Sequence, residues 1–273
     1  MRLKSKVAVV TGGTSGIGRR IVERFVEKGA AVVFSGRRAA LGEEIASTVT
    51  ATFIEADVAK EADAERTIKK AVAEHGRLDI LVNNAGGPAP GGRLETLPLD
   101  GFDNAIAVHV RGTLAHIKHA SSIMRSQAGG SIINIGSVAG HRAGYSSSVI
   151  YGVAKAAVIH LTRCAAMELG EDSVRVNSIS PGGIATGIFA KAMGMDAATA
   201  ETTSETIKDA LAKLQAIPRA GITDDIAGAA VYLGSDEATF VNGEDIVIDG
   251  GLIWGRRFSE VMAGGHTWKQ LFE

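Results

Sequence analysis

The chain has little cysteine: among its 273 residues only Cys164. An internal disulfide is excluded, which fits a reducing, cytoplasmic setting. Cys164 falls on the apolar side of a helical stretch and reads as a small core residue. No charge of one sign dominates, since 29 Lys and Arg oppose 30 Asp and Glu. That balance argues against nucleic acid as a partner. No run approaches the roughly 18 apolar residues of a membrane span, so no membrane partner is expected. The basic start, Met1 to Lys6, leads only into the short run Val7 to Val10, too short for the core of a signal peptide. Low-complexity tracts and fixed-period repeats are also missing, and no metal site is expected. What is present is a hydrophobic content of 45%, enough for a sizeable core.

The first half reads as a dinucleotide site. Val7-Ala8-Val9-Val10 suits a strand buried on both faces. A turn follows, Thr11-Gly12-Gly13-Thr14-Ser15-Gly16-Ile17-Gly18, and then a helix pattern to Lys28, closed by Gly29. Strand, glycine turn and helix form the context that such a motif requires, although the spacing is G-x-x-x-G-x-G. Small residues admit the pyrophosphate, and the helix start offers free N–H donors. A second strand, Ala30 to Ser35, ends at Gly36-Arg37-Arg38, where an acid would bind the ribose of NAD. No acid occurs between Phe34 and Gly42. Guanidinium groups suit a 2′-phosphate instead, so NADP(H) is favoured and NAD(H) stays open. Further strands are expected at 52–56, 78–82, 131–135, 174–180 and 244–249. Helices are expected at 61–75, 100–127 and 149–170, with another begun by Thr223 as its N-cap. Alternating strands and helices predict one α/β domain, a doubly wound parallel sheet of about seven strands with helices on both faces.

The expected helix 149–170 carries Tyr151 and Lys155, four residues apart and hence on one face. Apolar Val153, Ala157, Leu161 and Ala165 recur along it. A free tyrosine titrates near 10, and a neighbouring cation favours the phenolate. Bringing the phenol near 7 takes about 4 kcal/mol, which a lysine in a dry pocket beside a cationic nicotinamide could supply.

Together, Thr11-Gly12-x3-Gly16-Ile17-Gly18, Asp57-Val58, Asn83-Asn84-Ala85-Gly86, Ser137, Tyr151-x3-Lys155, Asn177 and Pro181-Gly182 resemble the short-chain dehydrogenase/reductase family. The likeness spans about residues 4–252 and implies an oxidoreductase moving hydride between a nicotinamide and a ketone or secondary alcohol. It implies Tyr151 as general acid/base, Ser137 on the substrate oxygen, and Lys155 lowering the tyrosine pKa and gripping the nicotinamide ribose. Asp57 and Val58 would hold adenine, and Asn83 and Gly86 the cleft floor. Pro181 and Gly182 would join the cofactor set, with Ile184 and Thr186 on the carboxamide. The family asparagine of V-N-x-x-G is here His109, in Val108-His109-Val110-Arg111-Gly112. A neutral imidazole, with one donor and one acceptor, can hold the same relay water, and it could titrate near pH 6.5. Residues 187–215 read as a mobile lid. The tail, 252–273, holds Trp254, Phe258, Trp268 and Phe272, which should pack on the domain or on a neighbour. The likeness also implies a homodimer or homotetramer. His141 and Arg142 follow Ser137 and read as a solvated loop, with an anionic substrate as the other option. An NADP(H)-binding regulator without useful turnover is the competing reading, favoured only by His109.

Overall fold

A computed structural model describes residues 1–272, with the side chains of 265–271 outside the description. Seven strands form one sheet in the order β3-β2-β1-β4-β5-β6-β7. They are β1 Val7–Thr11, β2 Ala31–Gly36, β3 Thr52–Glu55, β4 Ile80–Asn83, β5 Gly130–Ile135, β6 Val174–Pro181 and β7 Asp245–Ile248. Every pairing is parallel. The order reverses between β1 and β4, and sheets of this kind bind ligands outside the carboxyl ends at that point.

Alternation along each strand sends side chains to both faces. One face packs α1 Gly16–Glu27, α2 Ala39–Val49 and α10 Thr223–Gly234 through Phe25, Ile45 and Val231. The other packs α3 Glu61–His75, α5 Gly112–Ser126 and α6 Val149–Gly170 through Ile68, Met124 and Leu169. Both faces are therefore dry, which explains the near-continuous apolar strands.

Several expectations change. The stretch expected as one helix over 100–127 is α4 Leu99–Ala105, a π-helical segment Ile106–Arg111, and α5. The wider turn shifts the inward face, so His109, Thr113 and His116 are buried while Leu114 is 50% exposed. On α6 the buried line is Ile150, Ala154, Val158, Thr162, Ala166 and Leu169, leaving Val153 and Cys164 exposed. Cys164 is thus a surface residue, because the sheet lies one helical position away from where the apolar spacing pointed. By length and composition α6 could cross a membrane, but its buried line packs on the sheet. Thr223 is the first residue of α10 and not its cap; the carboxylate of Asp225 accepts from the Ile222 N–H instead, at 2.8 Å. Helix α2 was not expected at all. Residues 187–215 hold three short helices, α7 Ile188–Ala192, α8 Ala197–Glu201 and α9 Lys208–Ala212. The tail carries α11 Phe258–Phe272. Trp254, Phe258 and Phe272 are exposed and so do not pack on the domain; the expected packing of Trp268 lies outside the described side chains.

Candidate active site

The glycine turn is built by backbone necessity. Gly12 has φ +67°, and a Cβ there would meet the Ala85 Cα at 2.8 Å. A Cβ on Gly18 would strike the Gly12 carbonyl oxygen at 2.3 Å. Only glycine fits either position. Two side chains given no role from sequence lock the turn. The hydroxyl of Thr11 accepts from the Asn84 and Ala85 N–H groups, both at 3.0 Å. The Asn84 amide donates to the Thr11 and Gly12 carbonyls at 2.9 and 3.2 Å. The signal available was side-chain type, since Thr and Asn readily bond nearby backbone.

Helix α1 opens with no acid in its first turn, and Ser15 makes no side-chain cap bond. The N–H groups of Gly16, Ile17 and Gly18 therefore suit an anion such as a pyrophosphate. Across from them, the Thr186 methyl lies 3.6 Å from where a Gly16 Cβ would stand. Pro181 ends β6, Gly182 packs its backbone on Asp249, and Ile184 is buried beside Gly221. Thr186 and Gly182 are part-exposed, while Pro181 and Ile184 are buried. Arg38 donates to the Thr14 carbonyl and hydroxyl, at 3.3 and 3.1 Å, while Arg37 is exposed. Asp57 accepts from the Ala59 N–H at 3.1 Å, and Val58 packs against Gly112. The cradle fits a dinucleotide on its own geometry.

Asn83 ends β4 and borders a small hollow with Thr11, Val58 and Ala85. It is buried within the sheet, donating to Asn134 at 2.8 Å, and Asn134 donates to Thr162 at 2.9 Å. Strand alternation turns Asn83 inward and leaves Asn84 to face the turn. At Gly86 a Cβ would meet His109 Cε1 at 2.7 Å.

Ser148 starts α6. Its hydroxyl accepts from the Tyr151 N–H at 3.1 Å and donates to the Pro90 carbonyl at 2.7 Å. The phenol of Tyr151 stands beside the Ser137 side chain, just past the carboxyl end of β5. Lys155 Nζ lies 5.8 Å from the Tyr151 ring centre and donates to the Ile135 carbonyl at 2.7 Å. Helical spacing thus brings phenol, hydroxyl and ammonium together.

The electrostatics differ from expectation. Burial holds the Tyr151 pKa above its ordinary value, and the nearby Ser137 hydroxyl opposes that only in part. The protein alone therefore keeps the phenol protonated. Burial also lowers Lys155 to about 8. His109 is lowered to about 3 by burial and by the Lys155 charge, against the Gly87 hydrogen bond. The expected titration of His109 near 6.5 is thus corrected. His141 and Arg142 are exposed, as a solvated loop would be, but both are tethered: His141 Nε2 lies 2.7 Å from Asp245 Oδ2, and Arg142 donates to the Ile253 carbonyl.

A family model described as Enoyl-(Acyl carrier protein) reductase matches residues 12–253. Momilactone A synthase of Oryza sativa subsp. japonica is 37% identical over 258 residues, covering 92% of this chain and 91% of its own. The chain belongs to the short-chain dehydrogenase/reductase family. (+)-Borneol dehydrogenase 2 of Salvia officinalis is 38% identical over 258 residues, covering 92% of this chain and 90% of its own. L-fucose dehydrogenase of Mus musculus is 37% identical over 266 residues, covering 96% and 94%. A crystal structure described as ribose-5-phosphate isomerase from Brucella melitensis 16M superposes with a TM-score of 0.83 at 32% identity, covering 95% and 96%. As a member of this family the chain is an oxidoreductase, and the family generally uses NAD(P)(H).

Proposed function

We propose that the chain is an NADP(H)-dependent oxidoreductase interconverting a ketone and a secondary alcohol, with Tyr151 as general acid/base. The observation that carries this is the grouping of Ser137, the Tyr151 phenol and the buried Lys155 ammonium, whose Nζ lies 5.8 Å from the Tyr151 ring centre. When bound, the nicotinamide supplies or accepts the hydride. Tyr151 then gives its proton to the carbonyl oxygen, or takes it back from the alcohol. Ser137 donates to that oxygen and fixes its place. A phenol kept protonated is ready as an acid, and the Lys155 ammonium stabilises the phenolate left behind. His109 stays neutral and stands against the ring. Family relatives named as dehydrogenases of borneol and of L-fucose support alcohol/carbonyl chemistry.

Arg37 and Arg38, at the end of β2, support NADPH over NADH. The 187–215 segment acts as a lid within a single domain. Exposed Leu114, Val149, Val153 and Met167 on α5 and α6 support a homodimer or homotetramer, and the single unpaired cysteine supports a cytoplasmic setting. The test is cofactor oxidation with NADPH and with NADH over a panel of ketones. Ketone-dependent oxidation of NADPH, faster than of NADH, is expected. Binding of NADPH without turnover of any ketone, or of its alcohol in reverse, would contradict the reading.

A further inference from the structure

Strands β4, β5 and β6 are neighbours, and Ser137 follows the middle one. A substrate on Ser137 and Tyr151 is therefore flanked by the segment after β4, residues 84–97, and by the segment after β6, residues 182–196. Both flanks leave large apolar side chains in solvent. Leu94 is 73% exposed on one; Phe189, Met193 and Met195 are 39%, 77% and 48% exposed on the other. Apolar surface grouped around a cleft marks an apolar ligand.

The cations of the same segments have partners inside the chain. The Asp245 side chain is 4% exposed and accepts from Ser178 and Ser180 as well as facing His141. His141 Nε2 lies 2.7 Å from Asp245 Oδ2 and 3.3 Å from the Ser180 hydroxyl, a seat complete without substrate. Arg142 is spent on the Ile253 carbonyl, beside the Leu252 carbonyl that accepts from Tyr145 at 2.9 Å. These contacts strap the loop before Tyr151 to the start of the tail. On the flanks, Arg93 pairs with Glu95 at 2.8 Å and Lys191 with Glu201 at 2.5 Å. Asp196, the acid at the end of the second flank, caps its own helix at Ala198 and Thr199. A carboxylate carried onto these flanks would be desolvated with no unpaired cation of the same segments to receive it.

We infer that the substrate is a neutral, apolar ketone or its secondary alcohol, and that an anionic analogue is rejected; this rests on the oxidoreductase reading above. The probes are matched pairs: 2-decanone against 9-oxodecanoate, and 4-methylcyclohexanone against 4-oxocyclohexanecarboxylate, each with NADPH. The neutral member of a pair should have the higher kcat/KM by about tenfold or more, as expected for an unpaired charge entering an apolar site. Equal or better turnover of the carboxylates would overturn the inference while leaving the oxidoreductase reading intact. Turnover of no ketone in either pair would remove both. Met193→Glu should raise KM for the neutral ketone without weakening NADPH binding; an unchanged KM would count against the lid as the apolar wall.

Discussion

The imidazole of His109 meets the ring of Tyr151 edge-on, with centroids 5.6 Å apart and planes at 88°. Its Nε2 lies 3.1 Å from the Gly87 carbonyl oxygen, which can only accept, so Nε2 carries the hydrogen. Nδ1 is then a buried acceptor without a partner among the described residues. The residue that departs from the family asparagine is thus a fixed, neutral wall behind the phenol. Gly86 has no side chain because His109 fills that space.

Acid stability follows from this. The His109 pKa is depressed to about 3 in the folded chain and lies near 6.5 when unfolded. Between those values the unfolded chain binds the extra proton, so stability falls as pH drops from 6.5 towards 3. The slope from this one group is about 1.4 kcal/mol per pH unit at most. Urea unfolding at pH 7 and pH 5 should show a smaller difference for His109→Asn than for the parent chain. The variant should also leave any acid limb of the pH–rate profile near 6.5 unmoved.

Lys155 is a site residue that weakens the fold. Its ammonium is buried and its pKa is lowered to about 8. Relative to an ordinary lysine, that is a burden on the order of 3 kcal/mol at neutral pH. Lys155→Met should raise the unfolding midpoint while abolishing turnover. A variant that loses stability and activity together would show the ammonium to be structurally required.

Ser148 is expected to matter more than an ordinary helix cap. Losing the cap alone costs about 1 kcal/mol. Ser148→Ala also frees the Pro90 segment from the helix that carries Tyr151. Both kcat and the melting temperature should fall, and Ser148→Thr, which keeps the hydroxyl, should recover most of each.

Arg37 and Arg38 should separate in their effects. Arg37→Ala is expected to weaken NADPH several-fold and leave NADH unchanged. Arg38→Ala should weaken both, because Arg38 also holds the Thr14 backbone of the glycine turn. Calorimetric titration with each cofactor reads the difference.

Much of the fold is legible in local pattern. Helix α3 and helix α6 occupy the expected residues, and the strand, glycine turn and helix at 7–28 need no long-range information. Helix α2 was hidden because Gly42 interrupts its pattern; the Phe53 ring occupies the space a Cβ would need, at 2.3 Å. The π segment was hidden because one extra residue per turn leaves no mark in a 3.6 period. Val153 and Cys164 were misplaced because both sides of α6 are apolar, and the sheet decides which side is core. In the site, Tyr151 and Lys155 share one side of α6, as their spacing implied, and the place of Ser137 beside the phenol was implied only by the family likeness. The direction of the tyrosine shift was not legible, because it depends on burial. Nor were the partners of His141 and Arg142, which lie about a hundred residues further on.

Tyr151→Phe tests the central claim most directly, read as turnover and as NADPH affinity on one preparation. The substitution removes one hydroxyl and leaves the ring against His109 and Lys155. General acid–base groups contribute about a hundredfold to ten-thousandfold to rate, so kcat should fall by at least that lower figure with NADPH affinity essentially unchanged. A variant that keeps a substantial part of its turnover would contradict Tyr151 as the proton donor.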